Sequence, residues 1–241
     1  MKQQMVLRCS NMTKYFGGMQ AVRAVTLAFD NGSVTALMGP NGAGKTTLLN
    51  MMTGHLRVDE GSVDLDGRVL TGLVPYKIAR LGMVRSFQIT HVFQELSVRE
   101  NLRLAADATG AAYNHENLNS LLVELDLDTV ADEEAHALSG GQQRLLELGM
   151  CIMQRPQFVL LDEPFAGLNP RMVEIICRVI KRLDAQGAGV VVVSHDIATV
   201  VSIAERIVMM SEGEVIADGA PSAVLAEPQV VEAYMGTIDG A

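Results

Sequence analysis

Cysteine is scarce in this chain, with Cys9, Cys151 and Cys177 the only three in 241 residues. Their odd number and wide spacing exclude a disulfide framework and offer no zinc-ligand pattern, so the sequence reads as one from a reducing compartment. Long apolar runs are missing too. Mean hydropathy is high at +0.22, yet no stretch approaches the roughly 18 apolar residues that span a bilayer. The densest, Phe158–Leu161 and Val190–Val193, have strand length and end in polar residues. The opening residues MKQQMVLRCS lack the apolar segment of a signal peptide. The expectation is a cytoplasmic chain that does not itself span the membrane, which leaves room for docking onto something that does. Basic residues are outnumbered, 19 against 28 acidic ones, for a formal charge of -9. That balance argues against a sequence-independent nucleic-acid binder but leaves room for a local phosphate site. Long linkers, low-complexity segments and internal repeats are also absent.

What remains is ordinary globular composition, 49% apolar and 20% charged, which excludes intrinsic disorder. The length suffices for a hydrophobic core without staples. Met5–Cys9, Ala24–Phe29 and Ser33–Met38 read as short strands, with Asn31-Gly32 as the turn between the last two. A glycine-rich loop, Gly39–Gly44, then runs into a helical pattern at Lys45–Met52. Ser62–Leu65 and Leu81–Phe87 read as further strands. From about Glu100 to Gln154 leucines recur at helical spacings, including Leu118, Leu121, Leu122 and Leu125. Strand and helix then alternate: Phe158–Leu161, Arg171–Leu183, Val190–Val193, Ile197–Ala204. Ile207–Met210 and Glu214–Ala217 close the series as a hairpin around Glu212-Gly213. Continuous apolar strands alternating with helices predict an α/β fold, a parallel sheet covered on both faces, with the helical middle inserted into it.

Three motifs carry chemistry. Gly39-Pro40-Asn41-Gly42-Ala43-Gly44-Lys45-Thr46 fits G-x-x-x-x-G-K-[ST] between a strand and a helix. The glycines let successive N–H groups converge on phosphates, and the helix adds its positive dipole end. Lys45 supplies charge to the β- and γ-phosphates, and Thr46, followed by Thr47, offers a hydroxyl to Mg²⁺. Phe158–Leu161 delivers Asp162 and Glu163 at its carboxyl end, where sheets of this kind bind ligands. Asp162 suits Mg²⁺, mostly through water, and Glu163 suits polarisation of a water molecule. Leu138-Ser139-Gly140-Gly141-Gln142-Gln143-Arg144 opens a helix, and Ser139, Gly140 and Gly141 form a second anion-binding N-terminus.

With Gln88, Leu161–Pro164, Gly167-Leu168-Asn169 and His195, this set resembles the ATPase subunits of ABC transporters over nearly the whole chain. The segment Ala79–Gln88, the run Ala166–Pro170 and the ending Val231–Gly236 are similar to branched-chain amino acid importer ATPases. Urea and amide importers share much of the pattern. The resemblance implies a P-loop NTPase (RecA-like) core with an N-terminal antiparallel β portion. Its expected organisation is one domain: residues 1–88 and 155–220 as catalytic core, 89–154 as helical subdomain, 221–241 as tail. It implies that Phe16 stacks on adenine, with Tyr15 as the alternative; by itself an aromatic there reads as core. It implies that Gln88 reaches Mg²⁺ and the attacking water, and that His195 contacts the γ-phosphate. Asn169 departs from the Asp of many ABC ATPases but is usual in the branched-chain group. The expected cofactors are ATP and Mg²⁺. The expected partners are membrane permeases, a second ATPase subunit (the same chain or a sister chain) and, indirectly, a solute-binding protein. In that dimer Ser139–Gly141 would complete the opposite subunit's site. The competing readings are a lipopolysaccharide-type exporter ATPase and a non-transport ABC ATPase. The latter usually carries two ATPase units or long coiled-coil insertions, neither visible in this sequence.

Overall fold

A computed structural model describes residues 4–87, 90–109 and 115–235. The first strand, β1 (Val6–Phe16), runs on well past Cys9, where the alternation stops being readable. Its pairing with β2 (Met19–Asp30) shifts register between Cys9 and Met12 and again up to Tyr15, and Asn11 takes φ 49°. Such bulges break the period of two by which a strand is recognised. With β4 (Glu60–Leu65) and β5 (Arg68–Val69) these strands form an antiparallel sheet in the order β2-β1-β4-β5.

The second sheet has the order β10-β9-β3-β8-β7-β6. It is built from β3 (Ser33–Met38), β6 (Met83–Arg85), β7 (Phe158–Asp162), β8 (Gly189–Val193), β9 (Arg206–Ser211) and β10 (Glu214–Gly219). The β6, β7, β8, β3 and β9 strands are parallel, and β10 adds an antiparallel edge. The β6 strand is shorter than the expected Leu81–Phe87. A helix the sequence reading did not foresee, α2 (Pro75–Arg80), ends at Leu81, and Gly82 turns the chain at φ 93°. Pro75 at its first turn was the available signal.

Both faces of the parallel sheet are covered, as the unbroken apolar strands predict. Val34, Ala36, Val159, Leu161, Val190 and Val192 enter one apolar cluster, shared with α6 (Pro170–Gln186) and the helical middle. That middle comprises α3 (Val98–Thr109), α4 (His115–Glu124) and α5 (Gly140–Met153). The alternate residues Leu37, Phe158, Leu160, Val191 and Val193 enter a second cluster with α1 (Lys45–Met52) and the antiparallel sheet. The period of two thus sorts one strand's side chains into two cores. The chain continues through α7 (Ile197–Ile203) and closes with α8 (Pro221–Val224) and α9 (Pro228–Met235).

Candidate active site

The parallel registers Leu37↔Val193 and Asp162↔Val193 bring the carboxyl ends of three adjacent strands to one edge of the sheet. The glycine-rich loop leaves β3 there, Asp162 and Glu163 leave β7, and Ser194-His195 leave β8. The loop can turn only because Gly39 has no side chain: a Cβ there would stand 2.0 Å from the Met210 carbonyl oxygen. Gly44, at φ 95°, caps α1, and Lys45 is its first residue. The Lys45 side chain is buried and donates from Nζ to the carbonyls of Gly39 (2.7 Å) and Pro40 (2.9 Å). Burial lowers its pKa, opposed by the carboxylates of Glu163 and Asp162. Asn41, Gly42 and Thr46 are exposed on the same turn, Thr47 is half-buried, and Ala43 packs inward against the second core.

Asp162 is buried, and its Oδ2 is held 3.1 Å from an Arg85 guanidinium nitrogen. Burial pushes its carboxyl upward, opposed first by Arg85, and the neighbouring Glu163 adds to the upward push. Its Oδ1 is buried with no hydrogen-bond partner among the described residues. A buried orphan carboxylate oxygen is costly unless something positive or protic meets it. That oxygen and the exposed Thr46 hydroxyl are both hard oxygen donors, of the chemistry that suits Mg²⁺.

Glu163 adopts φ 50°, a left-handed conformation that costs a non-glycine residue about 1 kcal/mol or more. Its amide is anchored to the Val193 carbonyl at 2.9 Å, and its Oε2 stands 3.0 Å from His195 Nδ1. The strained turn therefore aims the carboxylate at a histidine from the next strand. Of the expected site residues, the structure brings together Gly39–Thr47, Asp162, Glu163 and His195. Gln88 lies outside the described residues.

Phe16 ends β1 with 47% of its surface exposed, and Tyr15 beside it has 42%. An aromatic of the core would not sit so open. Lys14 lies 5.7 Å from the Phe16 ring centroid while paired to Asp59 at 2.8 Å, and Asp59 also accepts from the Tyr15 amide. Ser139 caps α5: its Oγ accepts from the Gln142 amide, and the Gln142 side chain reciprocates to the Ser139 amide. Ser139 and Gly140 are exposed and Gly141 is half-buried. Asn169 caps α6, its Oδ1 accepting from the Met172 amide at 3.0 Å.

Two residues escaped the sequence reading as parts of this site. The Arg85 side chain is only 5% exposed and reaches Asp162, Asn50 Oδ1 (2.6 Å) and the Ser86 carbonyl (3.1 Å), with the Phe87 ring 4.6 Å away. Tyr234, on α9, faces the Gly39 backbone and the Glu163 carboxylate; burial raises its pKa, the Gly39 backbone opposes the rise, and Glu163 reinforces it. A basic residue next to the Ser86-Phe87-Gln88 run was the only sequence signal for the first. Nothing local signalled the second.

Comparison with known proteins turns this geometry into a family assignment. The sequence matches the ABC transporter family over residues 22–166. The chain belongs to that family. LivG of Archaeoglobus fulgidus, described as a probable branched-chain amino acid transport ATP-binding protein, is 36% identical, covering 97% of this chain and 96% of its own. LptB of Escherichia coli, a lipopolysaccharide export ATP-binding protein, is 34% identical over 95% and 97%. Residues 214–239 separately match the branched-chain amino acid ATP-binding cassette transporter family. A crystal structure of the ADP conformation of an ABC transporter ATP-binding cassette superposes with a TM-score of 0.85 at 33% identity, covering 96% of this chain and 99% of that one. A dimeric post-hydrolysis cassette bound to ADP and phosphate gives 0.81 at 28% identity, over 89% and 98%. This ABC cassette is therefore a nucleotide-binding ATPase subunit with the P-loop NTPase fold and an antiparallel N-terminal sheet. Its membership implies permease partners in a membrane and a second ATPase subunit. Among its described residues no helix is long and apolar enough to cross a membrane.

Proposed function

We propose that this cassette hydrolyses ATP to drive an importer for branched-chain or related amino acids. The observation that carries the substrate class is the match of residues 214–239 to the branched-chain family, in the segment where Tyr234 meets the glycine-rich loop. We also propose the division into a catalytic core (1–88 and 155–220), a helical subdomain (89–154) and a tail (221–241).

In this reading Phe16 stacks on adenine, and the loop amides with Lys45 hold the phosphates. ATP binding would draw Lys45 from the Gly39 and Pro40 carbonyls to the β- and γ-phosphates. Thr46, Asp162 and Gln88 would hold Mg²⁺, which neutralises phosphate charge when bound. Glu163 takes the proton of the attacking water as its oxygen bonds to the γ-phosphorus and the bond to ADP breaks. His195 fixes the Glu163 carboxylate and faces the γ-phosphate. Ser139, Gly140 and Gly141 serve the nucleotide of a second subunit, and loss of the γ-phosphate releases the pair.

The segment after Gln88 is the proposed permease dock. The Phe93 side chain is 52% exposed, while its backbone is fixed by the buried Asn101, which accepts from the Phe93 amide at 2.8 Å. Val92 is half-buried against the core, and Ile89 lies outside the described residues. On the other side of Gln88 in sequence, half-buried Phe87 and exposed Tyr76 line a groove of about 230 Å³. Affinity purification of the tagged chain from detergent-solubilised membranes should bring down permease subunits with a branched-chain amino-acid-binding partner. Recovery of lipopolysaccharide-transport subunits instead would refute the substrate class.

A further inference from the structure

A cavity of about 580 Å³ lies at the edge of the parallel sheet opposite the glycine-rich loop. Its floor is the start of two strands: Gln157 immediately precedes β7, and Ala188 immediately precedes β8. Those five-residue strands lead to Asp162 and His195 at their far ends, about 16 Å away. One wall belongs to the helical middle, with Leu121 and Glu124 of α4, and the other to α6, with Arg182 and Leu183. The volume is that of a small-molecule site, and no part of the nucleotide chemistry uses it.

The charged lining residues are Arg155, Arg182 and Glu124, which leave one positive charge in a chain whose formal charge is -9. Arg182 Nε donates to Glu124 Oε1 at 2.7 Å, and Nη1 reaches Gln186 Oε1 at 3.4 Å. Its Nη2 is buried with no acceptor among the described residues. A hidden donor without a partner is costly, and an acceptor arriving beside the guanidinium would relieve that cost. Arg155, at φ 50° in the turn after α5, brings a second arginine to the same cavity. Leu121, Ile152, Met153 and Leu183 supply apolar surface beside them. A guanidinium fork matches a planar carboxylate. One net positive charge balances a single negative charge, not the roughly -1.5 to -2 of a phosphate monoester. The apolar wall suits an aliphatic chain.

We propose that this cavity is a second ligand site, which takes an aliphatic carboxylate of single negative charge, its head on Arg182 and Arg155 and its chain against Leu121 and Ile152. A molecule held there would bridge α4 and α6 without touching the nucleotide edge. Isothermal titration calorimetry on the full chain tests this, with sodium 4-methyl-2-oxopentanoate as the probe. It should bind with a Kd of about 1 mM or tighter, the scale for about nine heavy atoms. No binding up to about 10 mM overturns the proposal. Leucine and inorganic phosphate are the parallel arms. Leucine carries the same chain and carboxylate with an added ammonium, so binding of either organic probe supports the site and their ratio separates acid from amino acid. Phosphate binding tighter than both overturns the carboxylate class. Arg182→Gln should weaken the probe ~10-fold or more, the scale of a lost charged hydrogen bond. Glu124→Gln should tighten it about threefold or more, because Arg182 loses its competing carboxylate. Ser120→Trp, at an exposed lining position, leaves the Arg182–Glu124 bridge intact and should block binding; melting temperature checks the fold of each variant. Unchanged affinity in Arg182→Gln and in Ser120→Trp overturns the proposal. Lys45→Ala should bind the probe as the wild type does, and loss of binding there would put the probe in the glycine-rich loop and overturn it as well.

Discussion

At the scale of residues, the site is defined by side chains held against their own preferences. Asp162 is a buried carboxylate with one oxygen paired and one orphaned, and Arg85 is the cation that makes its burial tolerable. Removing one partner of such a pair typically costs about 3–5 kcal/mol. Arg85→Met should therefore lower the melting temperature and, by freeing Asp162 to rotate, raise the Mg²⁺ concentration needed for half-maximal hydrolysis. Unchanged stability and Mg²⁺ dependence would show the pair to be incidental. Phe16 makes a separate prediction. Its exposed ring at the end of β1 suits stacking, so Phe16→Ala should weaken ATP binding by about 1 kcal/mol, roughly fivefold, with turnover at saturation retained. Neighbours on a strand point to opposite faces, so Tyr15→Ala should leave affinity unchanged. An equilibrium titration with a fluorescent ATP analogue decides between them, and the reverse pattern would move the adenine platform to Tyr15.

At the scale of elements, legibility followed whether the signal was local. The glycine-rich loop, the Phe158–Leu161 strand with its terminal carboxylates, and the hairpin at Glu212-Gly213 each declare themselves within a few residues, and each stands where it was expected. The stretch of β1 beyond Cys9 was hidden because its bulges erase alternation. Arg85 and Tyr234 were hidden for a different reason: their partners are distant in sequence. Asp162 is far along the chain from Arg85, and Gly39 and Glu163 are far along it from Tyr234. The α5 helix also carries a prediction. Ser139 is its cap and is exposed, so Ser139→Ala should cost about 1 kcal/mol of stability on top of any effect on a facing nucleotide. Ser139→Arg should abolish hydrolysis while ATP binding to the isolated subunit persists. Loss of binding in the monomer would instead place Ser139 in service of its own site.

At the scale of the whole molecule, the proposed function asks two sheets and the helical middle to present two nucleotide-facing surfaces on one chain. In that proposal the loop, Asp162, Glu163 and His195 form one, and the Ser139 end of α5 forms the other. A two-fold pair would juxtapose unlike surfaces and sandwich two nucleotides, so that hydrolysis controls whether the pair is closed. The apolar clusters on either side of the parallel sheet make it a stiff platform for the residues at its edge, and α9 meets the same edge through Tyr234. The central claim is that Glu163, strained at φ 50° and 3.0 Å from His195, is the base that activates water. Phosphate release by Glu163→Gln, at saturating ATP and Mg²⁺, tests it most directly. The substitution keeps the shape of the side chain and leaves Lys45, Thr46 and Asp162 to hold the nucleotide. Release should fall at least ~100-fold, the scale of a lost general base, in protein that still binds ATP; release at the wild-type rate would contradict the account and put the base elsewhere.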